Sequence, residues 1–198
     1  MREKENIFSI SELCPQFLGF IFYPDSKRFV GGLDPQHTQV PEGVKKVGVF
    51  VNSSKEEILG LVEEFKLNII QLHGDEQPEQ CKELQEAGIA IIKAFSVDEN
   101  FDFDQLNAYK KFVSYFLFDT KGKEYGGNGI TFNWQILDRY KLDIPFFLSG
   151  GIDLNHIEDI KNLKHKQLFA LDLNSRFEIR PGYKDVAKLK IFVDRIKA

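Results

Sequence analysis

Polar side chains suited to acid–base chemistry follow several short apolar segments of the sequence. Asp119 ends one segment, where partial burial would suit its carboxyl group to hold a proton for general acid catalysis. His73 ends a second segment and could orient or polarise a substrate, and Asp172 follows a third. If the segments are parallel strands, the three groups lie along one edge of the sheet. The alternatives are a capping or turn-forming role for Asp119 and a structural role for His73.

Two further loops contain residues suited to bind an anion. Gly150 and Gly151 precede a predicted short helix, so backbone N–H groups and a helix N-terminus could approach a phosphate. Asn174, Ser175 and Arg176 follow the last apolar segment. Phosphate sites in barrels are often built from the last two such loops, which favours this function over a pair of ordinary turns.

Arg28 lies in a loop beyond the first apolar segment, where its guanidinium could hold a substrate carboxylate in a bidentate geometry. The alternative is a solvated loop arginine. The four histidines are scattered and the two cysteines lie far apart, so no metal site is predicted. Thr120–Gly129 has the composition of a mobile loop and lacks the GxGxxG spacing, which argues against dinucleotide binding.

The elements that would position these residues are short, apolar and separated by helical patterns. Apolar runs without clean alternation are typical of strands that are covered on both faces of a parallel sheet. The seven predicted strands are Phe17–Tyr23, Val47–Val51, Asn68–Leu72, Ile89–Ala94, Phe112–Phe118, Ile144–Leu148 and Leu168–Leu173. Amphipathic helices are predicted at Glu3–Leu13, after the cap Ser54, at Glu76–Glu86 and at Asp185–Ala198. Repeated βα units leave two architectures open, a doubly wound sheet and a (β/α)8 barrel.

Length and composition restrict the class of protein. The 198 residues can form one domain with a full core, and a hydrophobic content of 42% excludes disorder. Two cysteines exclude a disulfide scaffold, and a net charge of −4 gives no indication of nucleic-acid binding. The apolar runs are too short for a membrane span, and the polar start MREKEN is unlike a signal peptide. We predict a single domain over residues 1–198, in the cytoplasm, with neither nucleic acid nor membrane as a partner.

Taken in order, the motifs resemble those of the phosphoribosylanthranilate isomerase family. The matching segments are LGFIFYPDSKRFV (18–30), VGVFVN (47–52), IIQLHGDE (69–76), DTKGKEYGGNGITFNW (119–134), FLSGGI (147–152) and DLNSRFEIRPGYKD (172–185). The resemblance implies a (β/α)8 TIM barrel and a cofactor-free Amadori rearrangement of N-(5'-phosphoribosyl)anthranilate, in tryptophan biosynthesis. The small-molecule phosphosugar-anthranilate substrate is the implied partner. The sequence leaves open whether the protein is a monomer or a homodimer.

The resemblance also implies roles for the polar residues. Asp119 becomes the general acid, and Arg28 holds the anthranilate carboxylate. The phosphate would be bound at Gly150, Gly151, Asn174, Ser175 and Arg176, and His73 and Asp172 would face the same substrate. A different phosphate-handling barrel and a catalytically inactive phosphosugar-binding protein are the competing hypotheses.

One departure from the family lies at the start of the chain. The family's first strand ends in a Lys-Ile/Val-Cys-Gly motif whose cysteine is the general base, and Met1 aligns just after that motif. Cys14, at the end of the first helix, and Cys81, on an apolar helix face, do not match it. We therefore expect seven strands rather than eight, the absence of the base, and impaired activity of this chain.

Overall fold

Seven parallel strands form one curled sheet in the computed structural model, which describes residues 1–120 and 133–198. Each strand pairs with the next along the chain, so the spatial order is the order of the sequence. The strands are β1 (Phe17–Ile21), β2 (Lys45–Phe50), β3 (Ile69–Leu72), β4 (Ala90–Val97), β5 (Tyr115–Thr120), β6 (Phe146–Leu148) and β7 (Leu168–Leu171). All seven predicted strands are present, and the sequential parallel order fits a barrel rather than a doubly wound sheet.

Helices connect most of the strands and cover the outside of the sheet. The α-helices are α1 (Lys4–Ser11), α2 (Lys55–Phe65), α3 (Pro78–Glu86), α4 (Ile157–Asn162) and α5 (Val186–Lys197). The predicted cap is confirmed, since Ser54 Oγ accepts a hydrogen bond from Glu57 N at the start of α2. None of the helices described for residues 1–120 and 133–198 is long and apolar enough to cross a membrane.

Two apolar clusters lie on the two faces of the sheet. Strand side chains alternate between the faces, so successive residues of one strand belong to different clusters. In β5, Leu117 points into the interior of the curl, whereas Phe116 and Phe118 pack outward among the helices. The interior cluster consists of Val47, Ile69, Ile92, Ala94, Leu117 and Phe147. The alternation places Asp119 on the interior face, at the end of β5.

The two ends of the sheet approach each other. Phe17 of β1 contacts the rings of Phe147 and Phe169, with centroid distances of 5.0 and 6.1 Å. Phe169 of β7 is nevertheless 44% exposed, while every residue of β3 and β6 is buried. On the free side of β1, the Met1 backbone nitrogen donates to the Gly19 carbonyl at 2.9 Å. The sheet is therefore more buried in its middle than at its two ends.

A small hairpin after β7 was not predicted from the sequence. Its strands β8 (Glu178–Arg180) and β9 (Tyr183–Lys184) are antiparallel, and Asn6 of α1 holds β9. The Asn6 side chain donates to the Lys184 carbonyl and accepts from the Lys184 N–H. Because these partners are far apart in the chain, no local pattern indicates the hairpin.

Candidate functional site

Asp119 and His73 meet at the carboxyl ends of the central strands. Asp119 is 4% exposed, and its Oδ2 lies 3.4 Å from His73 Nε2. Its Oδ1 accepts a hydrogen bond from the Thr120 N–H at 2.8 Å. The structure therefore brings a carboxyl group and an imidazole together at one edge of the sheet.

Gln71 fixes the ring of His73. The two side chains lie on the same face of the chain around β3, and Gln71 Nε2 lies 2.7 Å from His73 Nδ1. With Nδ1 as the acceptor, the proton of a neutral imidazole is on Nε2, the atom that faces Asp119. No role for Gln71 was predicted from the sequence, although a polar residue within the apolar run NIIQL was a usable signal.

The glycine loop after β6 has the geometry of a close backbone approach. Gly150 and Gly151 have φ values of +93° and +65°, and a Cβ atom at Gly150 would lie 2.1 Å from Thr120 Oγ1. A side chain at Gly150 is therefore excluded by both conformation and space. The buried Thr120 hydroxyl at this contact has no hydrogen-bond partner within the described part of the chain.

The loop after β7 lies beside the glycine loop. Ser149 Oγ donates to Asp172 Oδ2 at 3.1 Å, and the Asp172 N–H donates to the Leu148 carbonyl, which joins the ends of β6 and β7. Asn174 and Ser175 follow directly, with Ser175 starting a short 3₁₀ helix (Ser175–Phe177). The arrangement brings both predicted anion-binding loops together. Arg176 is exposed on this loop.

Asp172 is a second carboxyl group at this edge with altered acidity. Burial raises the pKa of Asp172, and the nearby charge of Asp119 raises it further. Lys184, the hydrogen bond from Ser149 and His73 oppose these effects without cancelling them. Asp172 therefore keeps its proton to a higher pH than an exposed aspartate.

Arg28 is bound to Glu178 and is not the solvated loop arginine of the alternative hypothesis. Its Nε lies 2.9 Å and its Nη2 2.7 Å from Glu178 Oε2, and the Glu178 side chain is 4% exposed. In the described residues, Arg28 Nη1 carries no hydrogen bond, so one edge of the guanidinium is available. The structure joins Arg28 to the β8–β9 hairpin rather than to Asp119 or His73.

Glu178 and Lys184, two charged residues of this region, were not predicted as site residues from the sequence. Burial lowers the pKa of Lys184, although Glu178 and Asp172 partly offset this effect. Burial opposes ionisation of Glu178, but the bonds from Arg28 and the charge of Lys184 outweigh it and lower the pKa of that carboxyl group. Lys184 Nζ also donates to Asn174 Oδ1 at 2.8 Å, which links the ion pair to the predicted anion-binding loop. Burial lowers the pKa of the neighbouring Met1 amine to about 5.

No cluster of three or more potential metal ligands among His, Cys, Asp and Glu occurs within residues 1–120 and 133–198. Most of the predicted loop Thr120–Gly129 lies outside the described residues. The other predicted site residues are all described, and they divide into a central group around Asp119 and a group at the β7 end.

Comparison with known proteins identifies a consistent set of relatives. The family profile described as N-(5'phosphoribosyl)anthranilate (PRA) isomerase matches residues 1–195. An N-(5'-phosphoribosyl)anthranilate isomerase from Parabacteroides distasonis is 46% identical over 99% of this chain and 90% of its own length. The isomerase of that name from Phocaeicola vulgatus is 44% identical over 100% of this chain and 95% of its length. The expected loss of a first strand stays a prediction.

Solved structures agree with the sequence relatives. The phosphoribosyl anthranilate isomerase of Thermotoga maritima superposes with a TM-score of 0.85 at 35% identity, covering 100% of this chain and 95% of that one. A second isomerase structure, in complex with reduced 1-(o-carboxyphenylamino)-1-deoxyribulose 5-phosphate, superposes with a TM-score of 0.83 at 31% identity and the same coverage.

Proposed function

The chain belongs to the N-(5'-phosphoribosyl)anthranilate isomerase family of tryptophan biosynthesis, and we propose that Asp119 is its general acid. The reaction is the rearrangement of N-(5'-phosphoribosyl)anthranilate to 1-(o-carboxyphenylamino)-1-deoxyribulose 5-phosphate. The observation that carries the assignment is the placement of a buried Asp119 carboxyl group 3.4 Å from His73 at the ends of the central strands. A general acid must be held within hydrogen-bond reach of the atom that it protonates, and the contact with His73 fixes the position of this carboxyl group.

The proton transfers follow from the chemistry of the substrate. Asp119 gives its proton to the ribose ring oxygen, the C1'–O bond breaks, and the nitrogen lone pair forms a Schiff base with C1'. A base then removes the proton from C2', giving an enolamine, which takes up a proton at C1' and loses the proton of its C2' hydroxyl group to become the ketone. The atoms of substrate and product are the same. The Nε2–H of His73 stabilises the carboxylate that Asp119 becomes.

The two anionic groups of the substrate have separate sites in this proposal. The available edge of Arg28 binds the anthranilate carboxylate, while Glu178 holds the opposite edge. The backbone of Gly150, Gly151, Asn174 and Ser175 binds the phosphate, with Arg176 adding positive charge. His73 faces the sugar beside Asp119, and Asp172 contributes a hydrogen bond to the sugar.

The base that removes the C2' proton is not one of the two thiols in the sequence. Cys14 is exposed and precedes β1, at the end of the sheet opposite to Asp119. Cys81 is buried on α3, where burial raises the pKa of its thiol to about 11. Impaired turnover by this chain stays a prediction.

The domain organisation, the cellular location and the oligomeric state belong to the same proposal. Residues 1–198 act as one domain, since one apolar cluster includes both Met1 and Phe192. The exposed free thiol of Cys14 is compatible with the reducing conditions of the cytoplasm. A titration of mass against concentration distinguishes a monomer from a homodimer.

Binding of a product analogue tests the assignment without depending on turnover. We would titrate the chain by calorimetry with reduced 1-(o-carboxyphenylamino)-1-deoxyribulose 5-phosphate and with the same compound lacking the carboxylate. The wild-type chain should prefer the carboxylated ligand by about tenfold or more, because a charged hydrogen-bonded pair contributes about 1.5–3 kcal/mol. Arg28→Lys should lose this preference, since a lysine cannot form the bidentate pair.

The matched control is Arg195→Lys, which changes an exposed arginine of α5. It should leave both affinities unchanged. Equal binding of the two ligands by the wild-type chain would show that Arg28 does not hold the carboxylate. If neither ligand binds, the family's substrate is not the substrate of this chain.

A further inference from the structure

A fully buried ion pair lies just outside the central part of the sheet. Lys93 of β4 and Glu76, which precedes α3, are 2% and 3% exposed, and Lys93 Nζ lies 2.9 Å from Glu76 Oε2. The neighbours of Lys93 in the strand, Ile92 and Ala94, belong to the interior cluster, so Lys93 points to the opposite, helix-covered face. The proposed reaction uses neither residue.

A contribution to the stability of the fold does not account for the presence of such a pair. Taking two charges out of water costs several kcal/mol for each ion, and apolar replacements of buried pairs are often neutral or stabilising. Buried pairs are retained in some proteins because they specify one arrangement of the chain. The arrangement that Lys93 and Glu76 specify can be determined from their other hydrogen bonds.

These hydrogen bonds surround one residue, His73. Lys93 Nζ donates to the carbonyl groups of Leu72 and Gly74, at 3.3 and 2.8 Å, and these two residues flank His73. Glu76 accepts from the Gly74 N–H at 3.0 Å, so Gly74, the residue after His73, is held by both members of the pair.

The same pair ties this turn to the neighbouring strand β2. Glu76 Oε1 accepts from the Asn52 N–H at 2.9 Å, and Asn52 Oδ1 accepts from the Asp75 N–H. The His73 N–H itself donates to the Phe50 carbonyl at 2.8 Å. The backbone of His73 is therefore held in place from both sides, while its ring points toward Asp119.

We propose that Lys93 and Glu76 are positioning residues, which set the direction of the His73 ring and thereby its contact with Asp119. The inference rests on the proposed function for the catalytic meaning of that contact. The pair touches neither Asp119 nor the imidazole ring and acts only through the backbone on both sides of His73. Loosening it moves the ring and leaves the anion-binding loops in place.

Nuclear magnetic resonance of the His73 ring tests the proposal directly. Its ring signals are assigned with His73→Gln and followed in the full chain, with and without Asp119→Asn. In the wild-type background, Asp119→Asn should shift the signals of His73 Nε2 and its neighbouring ring protons, because the two side chains are in contact. In the background of Lys93→Met with Glu76→Gln, which removes both charges together, the same change should shift them by less than half as much.

Turnover provides the second measurement. The paired variant should reduce kcat by about 10 to 100-fold, because small misplacements of catalytic groups have effects of this size, and should leave the affinity for the product analogue unchanged. Lys46→Met is the matched control, since Lys46 is a partly buried strand lysine that bonds to the Phe65 carbonyl, away from His73. It should change neither the His73 signals nor kcat.

The proposal is overturned if Asp119→Asn shifts the His73 signals as much in the Lys93→Met, Glu76→Gln variant as in the wild-type background, whatever the turnover of that variant. If that variant does not fold, the wild-type spectrum decides, since His73 signals that do not respond to Asp119→Asn also overturn it. Failure of the proposed function gives a different result, in which Asp119→Asn retains turnover while the His73 signals behave as expected.

Discussion

The strand ends at the centre of the sheet differ from those at its β1 and β7 ends in how charge is held. At the centre, Lys93 and Glu76 are fully buried, close in sequence and tied to backbone groups. At the sheet ends, Arg28 and Glu178 pair across 150 residues of chain, and the Arg28 side chain is 17% exposed. In the proposed function, proton transfer takes place at the buried central part of the sheet, and anion recognition takes place where the chain is held by long-range pairs.

The difference fits the demands of the two tasks. Proton transfer needs groups placed within a few tenths of an ångström, which fully buried neighbouring strands provide. A carboxylate or phosphate is held by several donors at once, so its site tolerates partial exposure and local opening. Substitutions in the two regions should therefore affect different measurements.

The largest effect should come from Asp119→Asn at the centre. This change keeps the shape of the side chain and removes the proton donor, so kcat for the rearrangement should fall by about 10² to 10⁴-fold relative to the unmodified chain. Affinity for the reduced product analogue should stay the same, because the anion-binding loops are unaltered. Asp194→Asn, at an exposed position of α5, is the control. Turnover equal to that of the unmodified chain would remove Asp119 from the mechanism.

A comparison of Glu76→Gln with Glu178→Gln should separate the two regions. Glu76→Gln leaves the buried charge of Lys93 unpaired and should lower the free energy of unfolding by about 3–5 kcal/mol. Glu178→Gln should lower it by about 1–3 kcal/mol, because the partly exposed Arg28 can turn to water and Lys184 keeps its bonds to the Leu173 carbonyl and Asn174 Oδ1. Urea unfolding measures both values.

Ligand affinity should change in the opposite order. Glu178→Gln releases one edge of the Arg28 guanidinium and should weaken binding of the carboxylated analogue by about tenfold, whereas Glu76→Gln should not change it. Calorimetric titration of both variants provides the measurement. Equal losses of affinity in the two variants would mean that the regions are not independent.

The sequence predicted the central region better than the sheet ends because its signals are local. Each strand is an apolar run bounded by helical periodicity, and the polar residue after each run could be placed at one edge of the sheet from the parallel order alone. Asp119 and His73 were located in this way. No prediction was made from Lys93, although a lysine within the apolar run IAIIKA needs a buried partner.

The pairing at the sheet ends could not be predicted from a single sequence. Glu178 and Lys184 lie in a short segment whose hairpin is held by Asn6, and Arg28 meets Glu178 only once the sheet has curled. No periodicity or spacing relates residues that distant, and a loop arginine is on average solvated. The resemblance of 172–185 to the family indicated that the segment matters without indicating its contacts.

The smallest effect concerns the pH dependence of stability at the sheet ends, where two carboxyl groups should act in opposite directions. The pKa of Glu178 is lowered from 4.5, so in acid the unfolded chain binds a proton before the folded one does. Its stabilising contribution is complete above pH 4.5 and is lost as the pH falls. The advantage of the wild-type chain over Glu178→Gln should therefore shrink on acidification.

Asp172 should show the reverse, because burial raises its pKa from 3.8 and the folded chain keeps the proton longer than the unfolded one. Its contribution is complete below pH 3.8 and is lost as the pH rises through the raised pKa, so Asp172→Asn should gain stability relative to the wild-type chain on going to neutral pH. Urea unfolding of both variants and the wild-type chain between about pH 3 and pH 7 measures the two slopes. If the stability difference between the wild-type chain and each variant changes with pH in the same direction, Asp172 is paired and ionised in the folded state, as Glu178 is.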